Sequence, residues 1–145
     1  MTFPKLLLTL LGVLALAAAG LAQSRHTKGE KPLSISQGQK VELADFLVTG
    51  KTTIFDFTSE YSPPCRGYSE PLLRLHQRGT NLAVVKVDIN RAEYHLVDWE
   101  SPVARQYALA DKGLPYFIIF GPDGKVMVEG PDARQQVNEW IGQLK

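Results

Sequence analysis

Cysteine is nearly missing from this chain: Cys65 is the only one in 145 residues. That excludes a disulfide within the chain and makes dithiol turnover by this chain alone improbable. Histidine is sparse as well. His26, His76 and His95 fall in a leader, a helix and a loop, and read as solvated residues rather than metal ligands, so neither a metal nor a cofactor is expected. An excess of one charge is also lacking, with 16 basic against 15 acidic residues. Without residues 1–22, which hold Lys5 and no acid, the formal charge is zero, and nothing suggests nucleic-acid binding. Repeats and low-complexity tracts are absent.

One long apolar run is present, at the front. Lys5 precedes an apolar stretch from Leu6 to about Ala19, followed by the small-residue site Gly20-Leu21-Ala22, the layout of a secretory signal peptide cut after Ala22. The alternative is an uncleaved membrane anchor, since Leu6 to Ala22 approaches the roughly 18 to 20 residues that span a bilayer. Residues 23–31 read as a flexible leader, and 32–145 as one domain of about 110 residues, enough for a single core. The expected location is exported, periplasmic or secreted. In such an oxidising compartment a lone Cys is a free thiol, a buried inert residue or half of an intermolecular bond.

Lys51-Thr52-Thr53-Ile54-Phe55-Asp56-Phe57 is β-branched and aromatic, too apolar for a strand with a wet face, and predicts a central strand. Ser62 is a good N-cap with Pro63 at the first helical position, opening a helix from about Pro64 to Arg78 that Pro71 should kink. Leu82 to Asp88 predicts a second buried strand, giving a right-handed parallel βαβ unit. Ser101 caps a second helix to Leu109. Tyr116–Phe120 and Lys125–Glu129 form a hairpin through Gly121-Pro122-Asp123-Gly124, and Asp132 to Leu144 closes the chain as an amphipathic helix. Ahead of these, Gln37-Gly38-Gln39-Lys40 predicts a turn, followed by a short strand or helix from Val41 to Leu47. The loop from Asn90 to Trp99 brings Tyr94, Leu96 and Trp99, expected to cover the core rather than build a partner surface.

The order βαβαββα, with Ser62-Pro63-Pro64-Cys65 at the first helix start and Gly113-Leu114-Pro115 before the third core strand, resembles the thioredoxin family over roughly Lys51 to Leu144. Gly38-Gln39-Lys40-Val41-Glu42-Leu43 looks like the lead-in of exported thioredoxin-like reductases that serve cytochrome c maturation. The resemblance implies an α/β, thioredoxin-like fold with a central mixed sheet of four to five strands flanked by helices. It also implies a thiol–disulfide exchange site. Asp56 matches the family's buried acid and proton acceptor, Lys86 the lysine beside it, Pro115 the cis-proline that presents backbone to an extended peptide, and Gly130 a glycine near the substrate groove. Thr58 and Tyr61 stand where the family commonly has an aromatic residue and a tryptophan. Tyr61, Pro63 and Pro64 complete the implied substrate-binding set.

The departure is Ser62, which occupies the attacking cysteine's position, while Cys65 corresponds to the resolving one. A serine hydroxyl is too weak an acid to attack a disulfide without an activating base, and no histidine stands near it in sequence. Cys65 has three open readings: a buried relic packed as a small apolar residue, a link between two copies, or a functional monothiol. As a monothiol it would form a mixed disulfide with a protein or small thiol, or pass through sulfenic acid, with the Ser62 hydroxyl and helix dipole favouring its thiolate. The expected partner is a protein disulfide or thiol. A different class remains open, a redox-inactive module that binds extended peptide beside Pro115.

Overall fold

The computed structural model describes residues 30–78 and 80–144. The proposed signal peptide and most of the leader lie outside the described residues. Five strands form one sheet in the order β1 (Leu33–Ile35), β3 (Leu82–Asp88), β2 (Thr52–Thr58), β4 (Tyr116–Phe120), β5 (Val126–Glu129). β1, β3 and β2 run parallel, β4 is antiparallel to β2, and β5 is antiparallel to β4. The sheet is therefore mixed, and four helices flank it.

β2 holds the middle of the sheet because both of its faces can be buried. Phe55 and Phe57 join Val85, Val87, Val103, Leu109 and Ile118 in one core cluster. Ile54 joins Val84, Leu72, Leu75, Phe117, Ile119 and Val137 in the other. Alternation along the strand then sends Asp56 to the same face as Ile54. That face is covered by α1 (Pro63–Arg78) and α4 (Gly130–Gly142), which supply Leu72, Leu75, Ala133 and Val137.

Two elements differ from the sequence reading. β1 is an additional strand; three residues long, with only Ile35 buried, it carries no periodic signal to read. The second helix is two pieces, α2 (Pro102–Gln106) and α3 (Leu109–Lys112), because Ala108 turns left-handed at φ +52°. Tyr107 at this break sets its ring centroid 4.6 Å from that of Phe57, tilted by 55°. Ser101 caps α2 as expected, its Oγ accepting the Ala104 N–H at 3.2 Å. α1 passes through Pro71 as one element.

Two turns show why certain glycines stand where they do. Gly38 follows β1 at φ +81°, and a Cβ there would lie 2.8 Å from the Arg91 backbone nitrogen. That close approach lets its N–H reach the Asp88 carbonyl at 3.0 Å. Gly124, at φ +78°, closes the β4–β5 turn.

His76 is buried, not solvated: its Nδ1 accepts the Val84 N–H at 3.0 Å. The Asn90–Trp99 loop splits in two. Val97 and Trp99 pack on the core, whereas Leu96 is 79% exposed and Tyr94 40%. Its base is fixed by Asn90, whose amide reaches the Tyr94 and Leu96 carbonyls, and by Arg91, which grips Asp98 at 2.7 and 3.0 Å.

Candidate functional site

The site is built where β2 ends and α1 begins. The Ser59 hydroxyl bonds Asn90 Oδ1 at 2.7 Å and accepts the Tyr61 N–H at 3.2 Å, and the Ser59 carbonyl accepts the Ser62 N–H at 3.1 Å. These bonds turn the chain sharply into α1. Ser62 takes the N-cap position, its carbonyl accepting the Arg66 N–H at 3.1 Å. Pro63 and Pro64 follow in the first turn, exposed to solvent, while Ser62 and Cys65 are buried. Cys65 is a free thiol, 3% exposed, packed in the core cluster of Phe57, Leu114 and Tyr116.

Asp56 is the electrostatic centre. It is 3% exposed, and its Oδ1 has no hydrogen-bond partner. Burial pushes its carboxyl from 3.8 up to about 7, against the opposing pull of Lys86. Lys86 is its register partner on β3, and Phe117 flanks it on β4. The acid can therefore take and return a proton near neutral pH.

A cavity of about 280 Å³ opens beside Cys65. Lys86 and Arg66 bring cations to its wall, Glu60 and Asp88 carboxylates, and four serine and threonine hydroxyls complete it. Asp88 is itself raised by burial, partly offset by the Asn90 N–H that its Oδ1 accepts at 3.0 Å. Asp56 is the next side chain inward from Thr58 on this face, across from Lys86.

The Leu114–Pro115 peptide is cis. The Pro115 carbonyl accepts a hydrogen bond from the Arg134 guanidinium. Gly130, at φ +70°, starts α4 directly against the Tyr116 ring, where a Cβ would sit 3.5 Å from Cε2. Tyr116, Gly130, Lys112 and Arg134 line a second, larger cavity of about 1020 Å³. Tyr116 donates to Glu129 at 3.0 Å, and burial together with that bond pushes its phenol up to about 12.

The fold thus brings Cys65 and Lys86 to one cavity, with Asp56 behind it, and sends Gly130 to another. Tyr61, Pro63 and Pro64 line neither; the Tyr61 hydroxyl instead meets His95 Nδ1 at 3.2 Å. Ser59, Glu60, Arg66 and Asp88 belong to the thiol cavity and escaped the sequence reading. Nearness to the motif could have flagged Ser59, Glu60 and Arg66, whereas Asp88 joins them only through the pairing of β3 with β2. Among the described residues no group of His, Cys, Asp and Glu is arranged to hold a metal ion, and no helix is long and apolar enough to cross a membrane.

The comparison with solved structures decides the architecture. The chain is similar to a mutant thioredoxin from Halobacterium salinarum, with a TM-score of 0.52 and 18% identity over 83% of this chain and 97% of that one. It has the thioredoxin fold. Thioredoxin f from spinach chloroplast gives a TM-score of 0.52 at 15% identity, covering 83% of this chain and 98% of that one. Thioredoxin O2 from Arabidopsis thaliana, in its oxidised state, gives 0.52 at 18%, covering 83% and 100%. Neither a protein-family model nor a curated protein matches the chain. On this fold Ser62 precedes α1 and Cys65 lies in its first turn, while the buried Asp56 stands on β2 in register with Lys86.

Proposed function

We propose that this chain is an exported thiol–disulfide exchange module that works through Cys65 as a monothiol, forming a mixed disulfide by exchange with a partner's disulfide and releasing the partner's other sulfur as a thiol. The observation that carries this reading is Asp56. A buried carboxylate with an unpartnered oxygen destabilises the fold. Moving the Cys65 proton gives it a use, since its carboxyl titrates at about 7. Ser62 has no thiol with which to resolve the product, so the adduct persists until an external thiol attacks it.

The test treats the reduced full chain with a small aromatic disulfide and follows adduct mass between about pH 5 and pH 9. One adduct is expected, at a rate rising through about pH 7, and Asp56→Asn flattens that rise. Labelling only in denaturant would overturn the proposal and make Cys65 a packed relic. A Cys65-linked dimer fits the burial poorly, because bonded sulfur atoms stand about 2 Å apart. Non-reducing electrophoresis is expected to show a monomer.

Export rests on Lys5, the Leu6–Ala19 run and Gly20-Leu21-Ala22. Periplasmic protein whose mass begins at Gln23 would support it, and retention of residues 1–22 would replace the signal peptide with an anchor. The Tyr116 groove favours a second reading, a module that binds extended peptide with no redox step. That reading is abandoned if Cys65→Ala removes biological activity while folding and peptide binding persist.

A further inference from the structure

The thiol cavity has a chemistry that the general reading leaves unused. Cys65 is 3% exposed, so a folded protein's disulfide cannot reach its sulfur without displacing the start of α1. A small molecule has a path, because Cys65 forms part of the wall of the 280 Å³ cavity. Apart from Cys65, every lining residue carries a polar or charged side chain, so a disulfide with charged ends finds partners there that an apolar one lacks. The charges come in balanced opposition, Arg66 and Lys86 against Glu60 and Asp88. Arg66 spends Nη1 on the Glu60 carbonyl at 3.1 Å, and Asp88 spends Oδ1 on the Asn90 N–H. Behind the wall, on the face that Thr58 and Lys86 share, stands the unpartnered Oδ1 of Asp56.

Opposed charges around a thiol suit a ligand that carries both signs itself. A carboxylate would face the guanidinium and ammonium, and an ammonium would face the two acids. We propose that this cavity receives a small zwitterionic disulfide of the amino-acid class, with which Cys65 exchanges to form a mixed disulfide. The inference rests on the monothiol reading and names its substrate.

The step balances within the cavity. Asp56 takes the Cys65 proton, and the thiolate attacks one sulfur of the bound disulfide. That disulfide's S–S bond breaks as the Cys65–S bond forms, and the departing thiolate recovers the proton from Asp56. One disulfide is consumed and one is formed, so no further oxidant is needed.

The experiment compares four probes on the reduced full chain: cystine as zwitterion, hydroxyethyl disulfide as neutral, dithiodipropionate as anion and cystamine as cation. Adduct rates from mass spectrometry are divided by those of a free reference thiol. Cystine is expected to lead the other three by about fivefold to tenfold, and Arg66→Gln, at an exposed position, to remove most of that lead. Glu60→Gln should do the same through the ligand's ammonium end. Equal normalised rates for the four probes would overturn the inference and leave the monothiol reading standing. So would reaction with oxidised insulin, a protein disulfide, in preference to all four. Adduct formation with none of the probes would overturn both.

Discussion

The cavity beside Cys65 and the groove beside Tyr116 belong to one fold and share no lining residue. The first is small, lined by charged and hydroxyl side chains around Cys65, and backed by a buried acid. The second is more than three times larger and is organised around the Tyr116 ring, with Gly130 close against it, the Lys112 ammonium 4.8 Å from its centroid and Arg134 holding the Pro115 carbonyl. Their separation means that the proposed thiol exchange and the alternative reading of peptide binding rest on different residues and can be tested independently. A change at Cys65 alters the wall of the first and leaves the lining of the second as it is.

The strongest way to break that comparison is Asp56→Asn. A carboxyl raised from 3.8 to about 7 holds a proton in the folded state that the unfolded chain releases between those values. The folded state therefore binds more protons there, and stability falls as pH rises from about 4 to about 7. The asparagine variant escapes this loss, so at pH 8 it should be more stable by about 4 kcal/mol, with the gain vanishing near pH 4. Denaturant unfolding at the two pH values checks it. A pH-independent difference would mean that Asp56 is not the titrating acid.

Gly130→Ala probes the other region. Its φ of +70° lies in the left-handed range, while the 3.5 Å contact with Tyr116 is ordinary, so the cost is conformational, about 1–2 kcal/mol. Exchange of Cys65 with hydroxyethyl disulfide should keep its rate, because Gly130 lines only the groove. A matching loss of rate would join the two regions and defeat the distinction between them.

Lys86→Met sharpens the thiol side. Lys86 lowers the Asp56 carboxyl against the larger effect of burial. Removing it should move the rise in exchange rate above pH 7 and cost about 1 kcal/mol at pH 8, where the acid is ionised. An unmoved pH profile would show that Asp56 does not serve Cys65.

How much of this was legible follows from the range over which each feature is encoded. β2 and β3 announce themselves because burial on both faces demands unbroken β-branched and aromatic runs. Asp56 was singled out by its match to the family's buried acid, since an acid in such a run can equally be paired or hydrogen-bonded to backbone. The split of α2 from α3 was hidden because Ala108, left-handed in the fold, is by itself a strong helix former. His76 looked like a surface residue at a helix end until the fold placed it against the Val84 N–H. The division into two cavities was the least visible. Cys65, Arg66, Lys86 and Asp88 come from two segments whose pairing appears only when β3 lies beside β2.

The smallest expected effect falls at Tyr116, which touches the thiol region through the core and the groove through its hydroxyl. Its ring packs in the cluster that holds Cys65, while its hydroxyl donates to Glu129 across the β4–β5 pair. Tyr116→Phe keeps the ring and deletes the bond, at a cost of about 0.5–1 kcal/mol, since Glu129 is exposed and water replaces its lost partner. Thermal unfolding should shift only slightly, and the exchange rate of Cys65 should stay as it is. A large loss of exchange would mean that the hydroxyl's bond to Glu129 governs the thiol through the shared ring, and the two regions would then have to be treated as one.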